Sequence, residues 1–383
     1  MPDHSAATAP FCPASADIFC TVIDNFGDAG ICWRLARRFA ALGLRVRLVA
    51  DRLDVLAKLA PGAANGAVVD GIETADWAAL AHSADIEPAE LVVETFGCRL
   101  PEAYEAAMSA KLEAGAPSFY FNLDYLSAED WVEGSHNIWG LHPRLPIKKL
   151  WFFPGFTDRT GGVLIEDDYL AREAEFKKEK SAWLARLGAD PALPSLLVFT
   201  YPHNPTDVLA RTLAALGPMN VLLAPGGGSG KFEAAAKDCS NSALRLVHPG
   251  FLPQKDFDKL LWAADAAVIR GEDSFVRAQL AGVPIVWSTY FTEDGAHRIK
   301  MDAWLTRMAH FFAPDGREAL FTSVNRAWLD PQADAPRLGE TLRNFWLERE
   351  ALAAGARRIR ADLFARGDLA RRMLERAAAG DQA

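Results

Sequence analysis

Apolar residues fall into two kinds of run along this chain, and their alternation predicts its architecture. Short blocks rich in β-formers occupy residues 18–23, 44–50, 91–96 and 118–123 in the first half. In the second half they occupy 195–200, 220–224, 245–248, 265–270 and 285–288. Blocks apolar throughout predict strands covered on both faces. Between them apolar positions recur at helical spacing, as at Ile31, Leu35, Ala36 and Phe39, with Arg34, Arg37 and Arg38 interspersed and Gly43 as the stop. Strand, glycine-containing turn, helix and strand make one βαβ unit.

Residues 124–165 break the rhythm. They hold Trp131, Trp139, His142-Pro143 and Trp151-Phe152-Phe153-Pro154-Gly155-Phe156, and read as long aromatic loops of the kind that carry function. The charged stretch 166–180 predicts a linker helix and sets a domain boundary there. Residues 336–379 are helical in pattern, with Leu, Phe and Ala on one side and many Arg on the other. The expected division is a flexible tail over 1–16, a Rossmann-like domain over 17–180, a second over 181–335, and helices over 336–383 that pack back toward the first domain. Two successive α/β domains with a cleft between them is the consistent architecture.

Composition narrows the class. A chain of 383 residues that is 50% hydrophobic is long enough for two or three cores. A formal net charge of −9 disfavours a long nucleic-acid partner, and leaves room for a basic protein partner or a small anion in a local pocket. Cys12, Cys20, Cys32, Cys98 and Cys239 are scattered, odd in number and free of CxxC spacing, which points to reduced thiols and the cytoplasm. No apolar run reaches membrane-spanning length. The first sixteen residues lack the basic and apolar regions of a signal peptide.

Two strand-to-helix junctions carry candidate chemistry. Arg270-Gly271-Glu272-Asp273-Ser274-Phe275-Val276-Arg277-Ala278-Gln279 reads as the end of a buried strand, a tight glycine turn and a helix start. Free N–H groups and the positive dipole end suit a phosphate there, and ligands sit at the carboxyl ends of such strands. Equally, Asp273 or Ser274 can simply cap the helix, with Glu272 solvated. Asp24-Asn25-Phe26-Gly27-Asp28-Ala29-Gly30 is the other junction. Its Gly-x-x-Gly is not the GxGxxG fingerprint, although Asp51 stands where a ribose-binding acid would. Asp24 and Asp28 would repel a pyrophosphate. This turn therefore faces something neutral or cationic, and one of its acids can serve as a base; the structural alternative is that Asp28 caps the helix and Asp24 braces the turn.

Other motifs are weaker. Pro225-Gly226-Gly227-Gly228-Ser229-Gly230-Lys231-Phe232 fails the P-loop spacing and lacks its Ser/Thr, so it reads as a flexible loop that can line the donor side. No HxxxH or HExxH pair occurs, and Asp256-Phe257-Asp258 sits at a helix start where capping explains it. Phe199, Tyr201 and Phe257 are core residues by the general tendency of aromatics; beside a nucleotide, one or two could stack on its base.

Taken together, Val22-Ile23-Asp24-Asn25-Phe26-Gly27-Asp28, Trp33-Arg34-Leu35-Ala36-Arg37, Leu126-Ser127-Ala128-Glu129, His142-Pro143-Arg144-Leu145-Pro146, Phe152-Phe153-Pro154-Gly155-Phe156-Thr157 and the Arg270–Gln279 motif closely resemble the EarP family. These are protein-arginine rhamnosyltransferases that modify bacterial translation elongation factor P. The resemblance implies an α/β GT-B glycosyltransferase with two facing Rossmann-like domains, an interdomain cleft and C-terminal helices. It further implies dTDP-β-L-rhamnose as donor, no cofactor, inversion at the anomeric carbon and independence of metal. By the same resemblance Asp28 is the general base and Asp24 a second required acid. Arg270, Glu272, Asp273 and Ser274 form the donor-binding motif, and Gln254, Phe257, Phe199 and Tyr201 contact the nucleoside. Three rivals are another nucleotide-sugar transferase or epimerase of the same fold, a non-catalytic nucleotide-sensing partner protein, and, last, a nicotinamide oxidoreductase.

Overall fold

A computed structural model describes residues 11–23, 26–240, 242–330 and 335–380. The chain forms two compact units. The first comprises Met1–Leu126, Trp131–Ile165 and Gly367–Ala383; the second comprises Ser127–Asp130 and Glu166–Arg366. The division thus falls between Ile165 and Glu166, ahead of the charged helix Tyr169–Arg186, where the sequence placed it near residue 180. Most of the C-terminal helical region, up to Arg366, belongs to the second unit, and only the last helix, Leu369–Ala379, joins the first. Of the expected tail, residues 1–10 lie outside the described residues, while Ser15 and Ala16 already belong to the first strand.

The first unit holds eight strands: β1 (Ser15–Cys20), β2 (Arg45–Ala50), β3 (Ala67–Val69), β4 (Ile72–Asp76), β5 (Leu91–Thr95), β6 (Phe119–Leu123), β7 (Ile138–Leu141) and β8 (Lys148–Phe152). They form one sheet in the order β3-β4-β2-β1-β5-β6-β8-β7. Pairing is parallel except at the two edges, where β3 and β7 each return antiparallel on a neighbour. Alternate residues of the central strands enter opposite cores. Ile18, Leu48, Val93 and Phe121 pack on one face with Leu35 and Phe39, and Phe19, Val49, Val92 and Tyr120 pack on the other with Tyr104 and Met108. That double burial is why these strands read as continuous apolar runs. The aromatic segment 124–165 is not loop throughout: it contributes the hairpin β7–β8 and the helix Trp131–Ser135.

The last helix completes the first core. Leu369, Ala370, Met373 and Ala377 are all buried in it. Asp368 caps that helix by accepting from the Arg371 N–H at 3.2 Å. It also accepts from the Ile165 N–H at 2.9 Å and from Arg38 Nη2 at 2.9 Å. Arg38 is itself almost fully buried, so Asp368 is the counter-ion its interior position requires.

His136 fixes the approach to Phe153 in this unit. Its Nδ1 accepts the Phe153 N–H at 3.0 Å, so the ring is neutral at that nitrogen. Burial, with the charges of Arg372 and Arg376, lowers its pKa to about 4. The unfolded chain then binds the proton more readily than the folded one, so stability falls as pH drops from about 6.5 toward 4. His136→Asn keeps an acceptor near the Nδ1 position and is expected to flatten that fall, read as Tm between pH 7 and 4.5.

The second unit holds β9 (Ser195–Val198), β10 (Met219–Leu223), β11 (Leu244–Val247), β12 (Ala266–Arg270) and β13 (Ile285–Ser288), all parallel, in the order β11-β10-β9-β12-β13. Taken within the unit this is the doubly wound order 3-2-1-4-5, whose direction of winding reverses between its first and fourth strands. Helices Gln254–Ala263 and Asp273–Ala281 flank β12 in sequence.

Candidate active site

In each sheet the winding reverses between two strands, and the sequence candidates follow those strands. In the first unit the reversal lies between β1 and β5. After β1 the chain bends into the helix Phe26–Ala41, whose first turn carries Asp28. Asp28 is only 1% exposed. Its Oδ2 accepts the Ile23 N–H at 2.8 Å and its Oδ1 accepts the Tyr125 hydroxyl at 3.2 Å. Asp28 thus braces the turn upstream of its helix and is not the helix cap. A carboxylate offers about four acceptor positions, and these two bonds fix its plane. Asp24 lies outside the described residues.

Two residues that the sequence did not single out complete this end of the sheet. Tyr125 follows β6, and its ring stacks on Phe96 at 4.2 Å and 12°. Phe96 follows β5 at φ 55°, a left-handed conformation uncommon for a bulky residue. That conformation seats the ring against Tyr125, which in turn aims its hydroxyl at Asp28. Both residues stand at strand ends, the position that could have marked them. Asp51, the ribose-acid candidate, accepts the Val22 N–H at 2.9 Å and so holds the same turn. Cys20 and Cys32 lie beneath; a hydrogen bond from Cys32, burial and the nearby Asp28 charge all raise the Cys20 thiol pKa. All five cysteines are free thiols.

In the second unit the reversal lies between β9 and β12, and the structure gathers the predicted donor residues there. Arg270 ends β12, Gly271 turns the chain at φ 73°, and Glu272 precedes the helix Asp273–Ala281 as its N-cap, without a side-chain cap bond. Ser274 does not cap this helix; its hydroxyl donates back to the Arg270 carbonyl. Gln254 Nε2 donates to Asp273 Oδ2 at 3.2 Å, and Lys300 Nζ lies 3.4 Å from Glu272. The Arg270 guanidinium carbon lies 4.7 Å from the Phe199 ring centroid and 4.6 Å from that of Tyr201. Phe257 meets Phe199 edge-on at 5.7 Å. Sequence reasoning missed Lys300 here, because it reaches Glu272 from a separate helix, Ala296–Met308.

Two sequence readings change. Asp258 is not a helix cap: the helix begins after Pro253 without a side-chain cap, and Asp258 is fully buried against Arg277, at 2.8 and 2.6 Å. The glycine run 226–230 is not a slack loop either. A Cβ on Gly227 would lie 2.2 Å from Pro202 Cγ, and one on Gly228 would lie 2.1 Å from Thr200 Oγ1. These glycines are where one loop packs hard against another.

Two doubly wound α/β units, each with polar side chains gathered where its winding reverses, define a glycosyltransferase of the GT-B fold. Comparison with known proteins narrows the class. Residues 16–378 match the family described as Elongation-Factor P (EF-P) rhamnosyltransferase EarP, and the chain belongs to that family. A protein-arginine rhamnosyltransferase of Pseudomonas putida is 38% identical over 367 residues, covering 90% of this chain and 94% of its own. Another from Neisseria meningitidis is 36% identical, covering 78% and 80%. A solved structure described as the basis for EarP-mediated arginine glycosylation of translation elongation factor EF-P covers 94% of this chain and 98% of its own, at 28% identity and a TM-score of 0.60. No helix among the described residues is long and apolar enough to cross a membrane.

Proposed function

We propose that this protein transfers L-rhamnose from dTDP-β-L-rhamnose to an arginine side chain of translation elongation factor P, in the cytoplasm, with inversion at the anomeric carbon and without a metal or cofactor. The observation that carries the reading is the division of charge between the units. A buried carboxylate, Asp28, stands at the reversal of the first sheet, and a cation beside a helix N-terminus, Arg270, stands at the reversal of the second.

Arginine is a poor nucleophile, because its pKa exceeds about 12 and its lone pairs are delocalised. Asp28 acts by orienting the acceptor guanidinium and accepting its proton as the C–N bond forms. Asp24 holds the cation through a charge-assisted hydrogen bond. On the second unit Arg270 and the N–H groups at the start of helix Asp273–Ala281 receive the departing dTDP, taking over the charge stabilisation that a divalent cation would otherwise supply. Gln254, Glu272, Asp273, Ser274 and Phe257 surround that position and orient the donor.

The reading is tested by mixing the protein with elongation factor P and dTDP-rhamnose, with and without EDTA. A single deoxyhexose increment on intact elongation factor P, unaffected by EDTA, is expected; no increment, or one only with another nucleotide sugar, would reject it. Arg270→Ala is expected to weaken dTDP binding by about 100-fold, since a charge-assisted contact to phosphate contributes roughly 1.5–3 kcal/mol. Calorimetric titration with dTDP checks this.

A further inference from the structure

We infer that Phe199 and Tyr201 are positioning residues: they hold the Arg270 guanidinium against their rings and leave its N–H donors for an anion. The inference rests on the donor-site reading above and gives these two rings a role other than stacking on a base. Both lie within 4.7 Å of the guanidinium carbon. Among the described residues Arg270 makes no ion pair, and its buried Nε meets no acceptor. Two other arginines of this unit are held differently. Arg277 is gripped by Asp258 and Glu166, and Arg360 by Glu173.

The difference is chemical. A carboxylate fixes a guanidinium by occupying its donors and cancelling its charge. An aromatic face attracts the cation through its quadrupole and takes up none of the five N–H groups, which lie in the guanidinium plane. Two rings therefore order a long side chain while its charge and donors stay available. An anion with several oxygens, such as a nucleoside diphosphate, is the ligand that uses them.

The rings are themselves held. Phe257 supports Phe199, and the His203 ring lies parallel to Tyr201 at 5.4 Å and 11°. The Tyr201 N–H donates to Asn204 Oδ1 at 2.9 Å. Gly227 and Gly228 close against Pro202 and Thr200, so the glycine run buttresses the segment that carries the rings.

The test is calorimetric titration of the full chain with inorganic pyrophosphate, which has the donor's diphosphate group but no base. Phe199→Leu and Tyr201→Leu are each expected to weaken pyrophosphate about tenfold, the scale of a partly desolvated cation–π contact. Tyr201→Phe, which keeps the ring, should stay within about twofold of the parent, and in an Arg270→Gln background, which has no cation for the rings to hold, the Leu substitutions should cost nothing further. Loss confined to dTDP, with pyrophosphate binding intact, would mean base stacking and overturn the assignment. The Arg270 Nε–Hε resonance, assigned by its absence in Arg270→Lys, reads the clamp without ligand. It should be ordered in the parent and mobile in Tyr201→Leu; no change in either Leu variant sinks the clamp. An ordered resonance in a parent that binds neither pyrophosphate nor dTDP rejects the donor-site reading alone.

Discussion

Asp28→Asn is expected to slow rhamnosyl transfer by roughly 10³-fold, the range of a positioned general base, while dTDP affinity stays within about twofold of the parent. Asparagine keeps the shape of the side chain and one acceptor oxygen, so the bond from the Ile23 N–H can persist. It carries no charge to orient a guanidinium and cannot accept a proton. Were Asp28 only a brace, the change would cost about 1 kcal/mol of stability and spare the rate. Single-turnover intact-mass kinetics beside thermal unfolding separate the two, and a fully active variant removes the base assignment. Because the Tyr125 hydroxyl meets the other oxygen, loss of that oxygen's charge should also loosen the Phe96–Tyr125 stack.

Asp258→Ala is expected to destabilise the second unit by about 3–5 kcal/mol, because it strands a buried guanidinium. Arg277 is 0% exposed and donates to Asp258 twice and to Glu166 at 2.7 Å, with its guanidinium 4.6 Å from the Tyr169 ring. Burial opposes its charge, and Asp258 and Glu166 overcome that opposition. Replacing all three members by apolar residues, Asp258→Leu and Glu166→Leu with Arg277→Met, should recover most of the loss, since no charge of the triad is then left inside. Denaturant unfolding of the two variants checks both statements; a loss under about 1 kcal/mol for Asp258→Ala would show that Glu166 alone suffices.

How far the sequence reached depended on whether one strand could announce itself. The central strands β1, β2, β5 and β6, and β9, β10, β12 and β13 of the second sheet, are largely apolar on both faces and were visible as runs, as was the edge strand β11 despite its exposed Arg245. Strand β4 was not, because Ile72-Glu73-Thr74-Ala75-Asp76 is half polar and owes its place to pairing with β2. Strands β7 and β8 were hidden among aromatics that suggested loop, and their hairpin covers the sheet's edge. The Arg270–Ser274 junction was legible because a glycine turn between strand and helix has a local signature. Tyr125, Phe96 and Lys300 were not, since each reaches its partner from a distant segment. The family resemblance supplied roles that residue types alone left open, and membership in that family is what the comparisons establish.

Asp368 ties the order of synthesis to the order of folding. Arg38 emerges early, and the carboxylate it needs follows 330 residues later. At about 5–20 residues per second that interval is roughly 15–65 s. Until residues 368–377 appear, the first sheet's inner layer lacks Leu369 and Met373 as well as Arg38's counter-ion. A nascent product, or one terminated before Asp368, therefore presents an unfinished hydrophobic layer to chaperones and proteases, and only a chain read through Ala377 can close it.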